Sequence, residues 1–416
     1  MKKIKETHDL NIQVNIINGI AAAVAVNLVN PYFAKFIERM GASDYEIALL
    51  NSIPALISVF AFLPGALLIE ASKDKIKTTA IVGLVQKVFY LLMALVPFYT
   101  GPSRVLLFVL LVGFMNFPGS IAGIGYQSCI GDVFPPHQRS IAMALRNKFS
   151  EASKLIVTLI AGQLLSLLPK TNAQSLLLYQ LFFILAFLFG LSEFITMLNF
   201  SRSAPASKKS DVRGYLYQFK TTFLDLPRHK AFVSFMICSI IFHFAWQMGW
   251  PLMTIVMIKT LGATEGWLSA ITIAAGATTI LTSTIWAKYA NKKGNNFILA
   301  ISTCGMAMAP IFYAFSTTLL QVFLFNIVTG IAMAGTILTL FNMLLEVTPV
   351  ENRTIYIAIY NIFINISATI APIISVWLMN LTSITFVLLL VSFLRLLGSG
   401  SFFLRNKSPQ LNNYGN

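Results

Sequence analysis

Apolar segments long enough to cross a lipid bilayer follow one another along almost the whole chain, with only short polar stretches between them. A helix of about 20 apolar residues spans the hydrocarbon core of a membrane. Few soluble architectures tolerate such a pattern. Of the 416 residues, 56% are hydrophobic and only 11% are charged, against roughly 25% charged in a soluble domain. A soluble chain of this length must cover its surface with polar groups, whereas a chain facing lipid need not. Allowing about 20 residues per span plus a short loop predicts about twelve spans. They are read at 12–36, 45–70, 78–99, 104–130, 142–168, 174–199, 231–258, 265–289, 296–316, 319–345, 356–379 and 383–404. Helix is the expected conformation, because lipid offers no partner for unpaired backbone groups and the segments are too long for barrel strands.

The formal net charge is +15. In a soluble protein this would point to nucleic acid; no basic and aromatic cluster lies outside the apolar spans here, and no nucleic-acid partner is expected. The basic residues segregate instead. Lys2, Lys3, Lys5, Lys73, Lys75, Lys77, Arg139, the run from Arg202 to Lys230, Lys288, Lys292, Lys293, Arg353, Arg405 and Lys407 fall on one side of the predicted spans. Only Arg39, Arg104, Lys170 and Lys259 fall on the other. Positive loops stay cytoplasmic, so both termini are expected in the cytoplasm of a multi-pass plasma-membrane protein. The longest hydrophilic stretch, 200–230, divides the chain into an N-terminal bundle at 1–199 and a C-terminal bundle at 231–416. Within it, Val212 to Leu226 has the pattern of an amphipathic helix lying on the membrane surface. The basic start and following apolar run could pass for a signal peptide. That run extends to Phe36 and holds Asn15, Asn18, Asn27 and Asn30, which marks it as the first span.

Cys129, Cys238 and Cys304 all fall inside apolar spans, far apart, without zinc or disulfide spacing. There is no Gly-Lys-Ser/Thr phosphate loop and no His-Glu-x-x-His pattern. Neither an enzyme nor a cofactor or metal is expected.

The two halves repeat. Met40-Gly41-Ala42-Ser43-Asp44 matches Leu261-Gly262-Ala263-Thr264-Glu265, each before the second span of its half. Asp132 through Arg139 matches Glu346 through Arg353, with acid, proline and arginine at the same spacing, and the match runs on through Ile141, Ala144, Asn147 and Phe149 against Ile355, Ala358, Asn361 and Phe363. Matches in two corresponding loops indicate parallel repeats related by an axis along the membrane normal.

Twelve spans, a six-plus-six repeat and a basic central loop resemble the major facilitator superfamily over essentially the whole chain. The expected fold is thus an all-α membrane protein of twelve transmembrane helices in two six-helix pseudo-symmetric bundles. The family's signature loop after the second span, roughly Gly-x-x-x-Asp-x-x-Gly with basic residues following, is degenerate here. Ala66 and Glu70 stand at the first glycine and the acid, before Lys73, Asp74 and Lys75; in the second half Asn291 stands at the acid and Gly294 at the second glycine. The resemblance implies a cytoplasmic gate in these loops, formed by Glu70, Asp132 and Glu346 with Arg139 and Arg353 as partners and Asn291 at the degenerate position. An acid at a helix end can pair with a facing arginine or favour a helix N-terminus. Arg146, Lys148, Glu151 and Lys154 are expected at the cytoplasmic mouth of the fifth span, with Glu151 three residues from each lysine and able to pair within the helix. Lys87 and Glu193, and with them Arg395, are expected to snorkel toward the interface.

The resemblance further implies a central cavity lined by the first, fourth, seventh and tenth spans, and polar stripes occur there. The candidate substrate-binding residues are Asn18, Asn27 and Asn30; Asn116 and Gln127, eleven residues apart on one helical face; Thr339 and Asn342, in line with Glu346; and His243, Trp246, Gln247 and Trp250. The last four follow i, i+3, i+4, i+7 spacing and share a face. His243 is near midspan, where an ionisable group is costly and often functional, and it could bind substrate or carry a proton; a neutral histidine bonded between helices is the plain alternative. Trp246 and Trp250 offer rings for stacking, while Trp250 also suits an interfacial anchor. Gly119 and Gly123 read as a small-xxx-small face for close helix packing.

The expected function is secondary active transport of a small organic molecule, aromatic or amphipathic, by alternating access. Direction and coupling ion stay open, with proton-coupled export slightly preferred. No midspan carboxylate occurs in the four cavity spans, and Gly162 stands without the glycine-proline motif of many drug antiporters, which weakens a drug–proton exchange reading. Two alternatives remain: a lipid or lysolipid flippase, and a transporter-like receptor that signals without flux, for which no large cytoplasmic domain is present.

Overall fold

The computed structural model describes residues 2–201, 212–349 and 352–406. Among the described residues the regular structure is entirely helical. The chain divides into two compact units, one formed by Met1–Ala42 with Ile53–Val212 and one by Ser43–Ser52 with Arg213–Asn416. Among the described residues, eleven helices are long and apolar enough to cross a membrane.

The first half contains α1 (Lys2–Asn27), the short α2 (Phe33–Arg39), α3 (Asp44–Ala71), α4 (Lys75–Leu95), α5 (Arg104–Val133), α6 (Pro136–Leu167) and α7 (Asn172–Leu198). A single 3-10 turn, Asn30–Tyr32, joins α1 to α2 within one span, Leu10–Arg39. The second half contains α8 (Val212–Asp225), α9 (Lys230–Ile255), α10 (Glu265–Lys293), α11 (Asn295–Phe315), α12 (Leu319–Val347), α13 (Arg353–Leu381) and α14 (Ile384–Asn406). In the first unit α1 packs on α6 and α7, and α4 packs on α5 and α7. In the second, α9 packs on α13 and α14, and α11 packs on α12 and α14. Partner for partner, the second set repeats the first.

The loop motif read as a repeat proves to be a helix stop followed by a helix start. Gly41 and Gly262 both take left-handed φ, +92° and +65°, a conformation that costs glycine nothing. After α2, Gly41 N–H reaches Glu38 O at 2.9 Å and Ala42 N–H reaches Ile37 O at 3.0 Å, the pairing that closes a helix end. Ser43 and Glu46 then cap α3 reciprocally, through Glu46 Oε2 to Ser43 N–H at 2.8 Å and Ser43 Oγ to Glu46 N–H at 3.3 Å. Past α9 the chain runs through one π turn, Val256–Thr260, before Gly262, and Thr264 caps α10 through Trp267 N–H.

The segment read at 142–168 lies in α6, which is 32 residues long and begins earlier, at Pro136. Between its start and its middle it carries Arg139, Arg146, Lys148 and Glu151, with Lys154 just beyond, and this charge keeps it out of the eleven. Lys154 pairs with Glu151 at 3.1 Å on a half-exposed surface, a contact of little energetic weight.

Three expectations require correction. Lys87 and Glu193 do not snorkel: Lys87 is 3% exposed and its Nζ lies 3.0 Å from Glu193 Oε2, inside the first unit. Arg395 does not snorkel either, being 1% exposed within the second unit. Its guanidinium donates to Met306 O at 2.9 Å and Trp246 O at 3.0 Å, with a longer contact to Ala245 O at 3.4 Å. Both cations occupy space that glycines leave open: a Cβ on Gly190 would stand 2.4 Å from Lys87 Cγ, and one on Gly249 would stand 2.4 Å from an Arg395 nitrogen. Gly123, read with Gly119 as a helix-packing face, instead faces open space in a cavity wall, while Gly119, also on that wall, does meet the Gln86 side chain of α4 closely.

Helix α8 starts where the amphipathic segment was read. Thr222 and Leu226 are buried, and Phe219 packs on the core formed by Phe232, Tyr356 and neighbouring residues. One face therefore docks on protein, while Tyr217, Phe223 and Leu224 face outward. Residues 202–211 of the linker lie outside the described residues.

Candidate functional site

In the second unit, α9 holds three of its four candidate residues in a line of rings. His243 and Trp246 have centroids 5.6 Å apart, and Trp246 and Trp250 6.4 Å, near-perpendicular. Tyr360 from α13 meets the His243 ring edge-on at 6.4 Å. His243 and Trp246 are half-buried, and Trp250 is exposed. His243 Nδ1 lies 2.8 Å from the Ser239 carbonyl. A carbonyl only accepts, so Nδ1 carries a proton, and in the neutral ring Nε2 keeps a lone pair. The imidazole is thereby oriented by its own helix and lies beside the Trp246 indole.

The fourth residue, Gln247, faces elsewhere. It is 2% exposed, donates to Ile364 O at 3.3 Å and accepts from Ser367 Oγ at 2.7 Å. Gln247 thus ties α9 to α13, and its polar groups are spent on that tie. On α12, Thr339 is fully buried and donates to Gly335 O of its own helix at 2.6 Å. Asn342 donates to Asn295 Oδ1 at 3.1 Å, and Asn295 in turn donates to Glu346.

The first unit separates its five candidates. Asn18 is 2% exposed; it donates to Glu193 O at 2.9 Å and Thr196 Oγ1 at 3.1 Å and accepts from Arg146 at 3.0 Å. Asn11 and Asn15 lie on the same face of α1, bonded to Ser201 O and Ala142 O. This end of the polar stripe stitches helices together, as buried amides in a bundle do. Asn27 and Asn116 donate to carbonyls one turn back in their own helices, at 2.8 Å each. Asn30 accepts from Tyr90 at 3.3 Å. Gln127 is exposed, and Asn116, on the face the spacing assigned to both, is half-buried.

The gate residues stand as follows. Arg139 donates to Phe134 O at 2.9 Å and Gly131 O at 2.7 Å, closing the carbonyl end of α5. Glu346 accepts from Asn295. Asp132 is half-buried, and Asn291 and Arg353 are exposed. The side chain of Glu70 lies outside the described residues.

Sequence reasoning missed Tyr360 and Ser367, because both come from α13, which was not among the spans expected to line a site. It also missed the grouping of Lys87, Arg146, Glu193 and Tyr126 around one cavity in the first unit. The signal available was the charge itself: Lys87 lies twelve residues past Lys75, the first residue of α4, about 18 Å at roughly 1.5 Å per residue, which is too deep for easy snorkelling.

Serial apolar helices, repeated packing partners and a ring-lined face define a multi-pass membrane protein with the fold of a transporter. The model of the Major Facilitator Superfamily matches residues 16–235 and 235–415, and the chain belongs to that family. Among solved structures it resembles the nucleoside transporter NupG, at a TM-score of 0.73 and 14% identity over 96% of this chain and 100% of that one. It also resembles a POT family transporter in complex with 5-aminolevulinic acid, at 0.73 and 10% over 96% of each chain. A third is a bacterial homolog of the human lysosomal transporter Spinster, inward-facing and unoccupied, at 0.68 and 11% over 97% and 99%. At these identities the likeness is one of fold. No curated protein matches the chain.

Proposed function

We propose that this chain is a secondary active transporter that moves a small aromatic or amphipathic organic molecule across the plasma membrane by alternating access. The observation that carries the reading is the line of His243, Trp246 and Trp250 on α9, in which the imidazole lies beside one indole and the second indole follows one turn on. Planar apolar ligands stack on indoles, and a single acceptor orients a ligand donor. Asn27, Asn30 and Asn116 in the first unit and Asn342 in the second are each proposed as polar substrate-binding residues.

The proposed architecture is twelve spans in two bundles, 1–199 and 231–416, joined by a cytoplasmic linker at 200–230. Helix α6 supplies the fifth span. Its 32 residues extend about 48 Å at roughly 1.5 Å per residue, about 18 Å beyond the ~30 Å hydrocarbon core, so about its first twelve residues, with Arg139 and Arg146, are proposed to stand clear of the lipid. The Lys and Arg asymmetry supports cytoplasmic termini. Glu70, Asp132 and Arg139 in the first unit, and Asn291, Glu346 and Arg353 in the second, are each proposed as cytoplasmic gating residues. Proton coupling is proposed to pass through His243, and export is the preferred direction.

The test is thermal stability of the purified full chain against a panel of nucleosides, aromatic amines and dipeptides, at about pH 6 and pH 8, either side of the ordinary histidine range. A compound at about 100 times its dissociation constant stabilises by roughly 2.7 kcal/mol. The reading expects a hit that is lost in Trp246→Ala and whose pH dependence is lost in His243→Ala. Stabilisation by particular lipids with no soluble hit would instead favour a flippase.

A further inference from the structure

The first unit contains a cavity of about 260 Å³, walled by α1, α4, α5, α6 and α7. Lys87, Arg146 and Glu193 all reach its wall, together with Asn18, Gln86 and Tyr126. Ionised groups in such surroundings come paired, and here the pairing is incomplete. Lys87 is answered by Glu193, Nζ to Oε2 at 3.0 Å, in an ion contact that does not have hydrogen-bond geometry.

Arg146 is answered only by neutral groups. It donates to Asn18 Oδ1 at 3.0 Å, and its guanidinium carbon lies 4.2 Å from the centre of the Tyr126 ring. Its Nε is buried and bonds nothing, and one turn further along α6 the buried Ser150 hydroxyl also bonds nothing. Among the described residues no carboxylate pairs with Arg146. The wall therefore carries two positive charges and one negative, and behind it, against Gly19, the buried Arg146 Nε and Ser150 hydroxyl lack an acceptor, a costly arrangement unless something else accepts.

The neighbouring helices are shaped around these groups. A Cβ on Gly19 would meet Ser150 Oγ at 2.5 Å and Arg146 Cγ at 2.6 Å. One on Gly190 would meet the Lys87 stem, and Gly123 opens onto empty space. The hollow is thus built into the bundle around the charges.

We propose that this cavity is a binding site for one small monovalent anion of the halide or carboxylate kind, held by Arg146 and Lys87. A single negative charge neutralises the excess, and a guanidinium suits a carboxylate or halide acceptor. The site belongs to the first unit alone and does not depend on which substrate the α9 rings bind.

The experiment is the melting temperature of the full chain at fixed pH and ionic strength, with sodium morpholinoethanesulfonate, a bulky sulfonate, replaced stepwise by sodium chloride in one arm and sodium acetate in the other. A saturable rise is expected in at least one arm, and which arm rises identifies halide or carboxylate. Arg146→Gln should raise the half-saturating concentration about tenfold or more, as loss of a charge-assisted bond does. Glu193→Gln should lower it, because the cavity gains net positive charge. A purely structural cluster would lower stability in both variants without moving the midpoint. Absence of saturable dependence in both arms, or one midpoint shared by wild type and both variants, overturns the proposal. Should Arg146→Gln fail to fold, the direction of the Glu193→Gln shift decides it alone.

Discussion

Arg395 of α14 donates to the backbone carbonyl of Trp246, the middle ring of the line on α9, at 3.0 Å. The same guanidinium reaches Met306 O on α11 at 2.9 Å, so one buried cation ties three helices behind the ring-lined face. Pro251 removes the N–H that would bond Gln247 O, and this stretch of α9 relies on outside contacts to hold its pitch. Arg395→Met, similar in length but without donors, should cost about 2 kcal/mol, in the range for hydrogen bonds to charged groups. It should also weaken whatever binding Trp246 supports. Melting temperature and ligand titration on the same preparation check both effects.

Helices α9 and α14 approach closely at Gly398, where a Cβ would stand 2.8 Å from Phe242 Cα. The obstacle is backbone and cannot turn aside. Gly398→Ala should destabilise by about 1–3 kcal/mol, as overpacking does. Gly123→Ala, which meets nothing within 4 Å, should be neutral or stabilising, since alanine gains up to about 1 kcal/mol over glycine inside a helix. Melting curves of the two variants in one detergent give the comparison, and equal losses would contradict this account of the glycines.

Lys87 and Glu193 form a pair in which the lysine side chain is 4% exposed and the glutamate 26%. Removing one partner strands a charge, whereas removing both removes the cost of burying them. Glu193→Ala should cost about 3 kcal/mol, and Lys87→Met combined with Glu193→Ala should recover most of that loss. A double-mutant cycle by thermal or denaturant unfolding reads the coupling. Additive losses would mean that the pair contributes nothing as a pair.

Eleven of the spans and the loop repeat were legible because each is written locally. Hydrophobic length marks a helix, and Gly41 with Ser43 and Gly262 with Thr264 spell a stop followed by a cap. The α9 face was legible through its helical spacing, except that Gln247 turned to Ser367, a partner more than a hundred residues away. The buried charges were illegible for the same reason. Whether Lys87 reaches for the interface or folds inward depends on Gly190 of α7, and for Arg395 on Gly249 of α9. Neither glycine is near its cation in sequence, so hydropathy alone sends both side chains outward.

The most direct test of the central claim is flux. The full chain is reconstituted into liposomes preloaded with an unlabelled nucleoside, aromatic amine or dipeptide, and uptake of the same labelled compound from outside is followed by counterflow. The account predicts protein-dependent accumulation of at least one aromatic compound, abolished or strongly reduced in Trp246→Ala while the protein stays folded. Accumulation of none of them, or accumulation unaffected by Trp246→Ala, would contradict it.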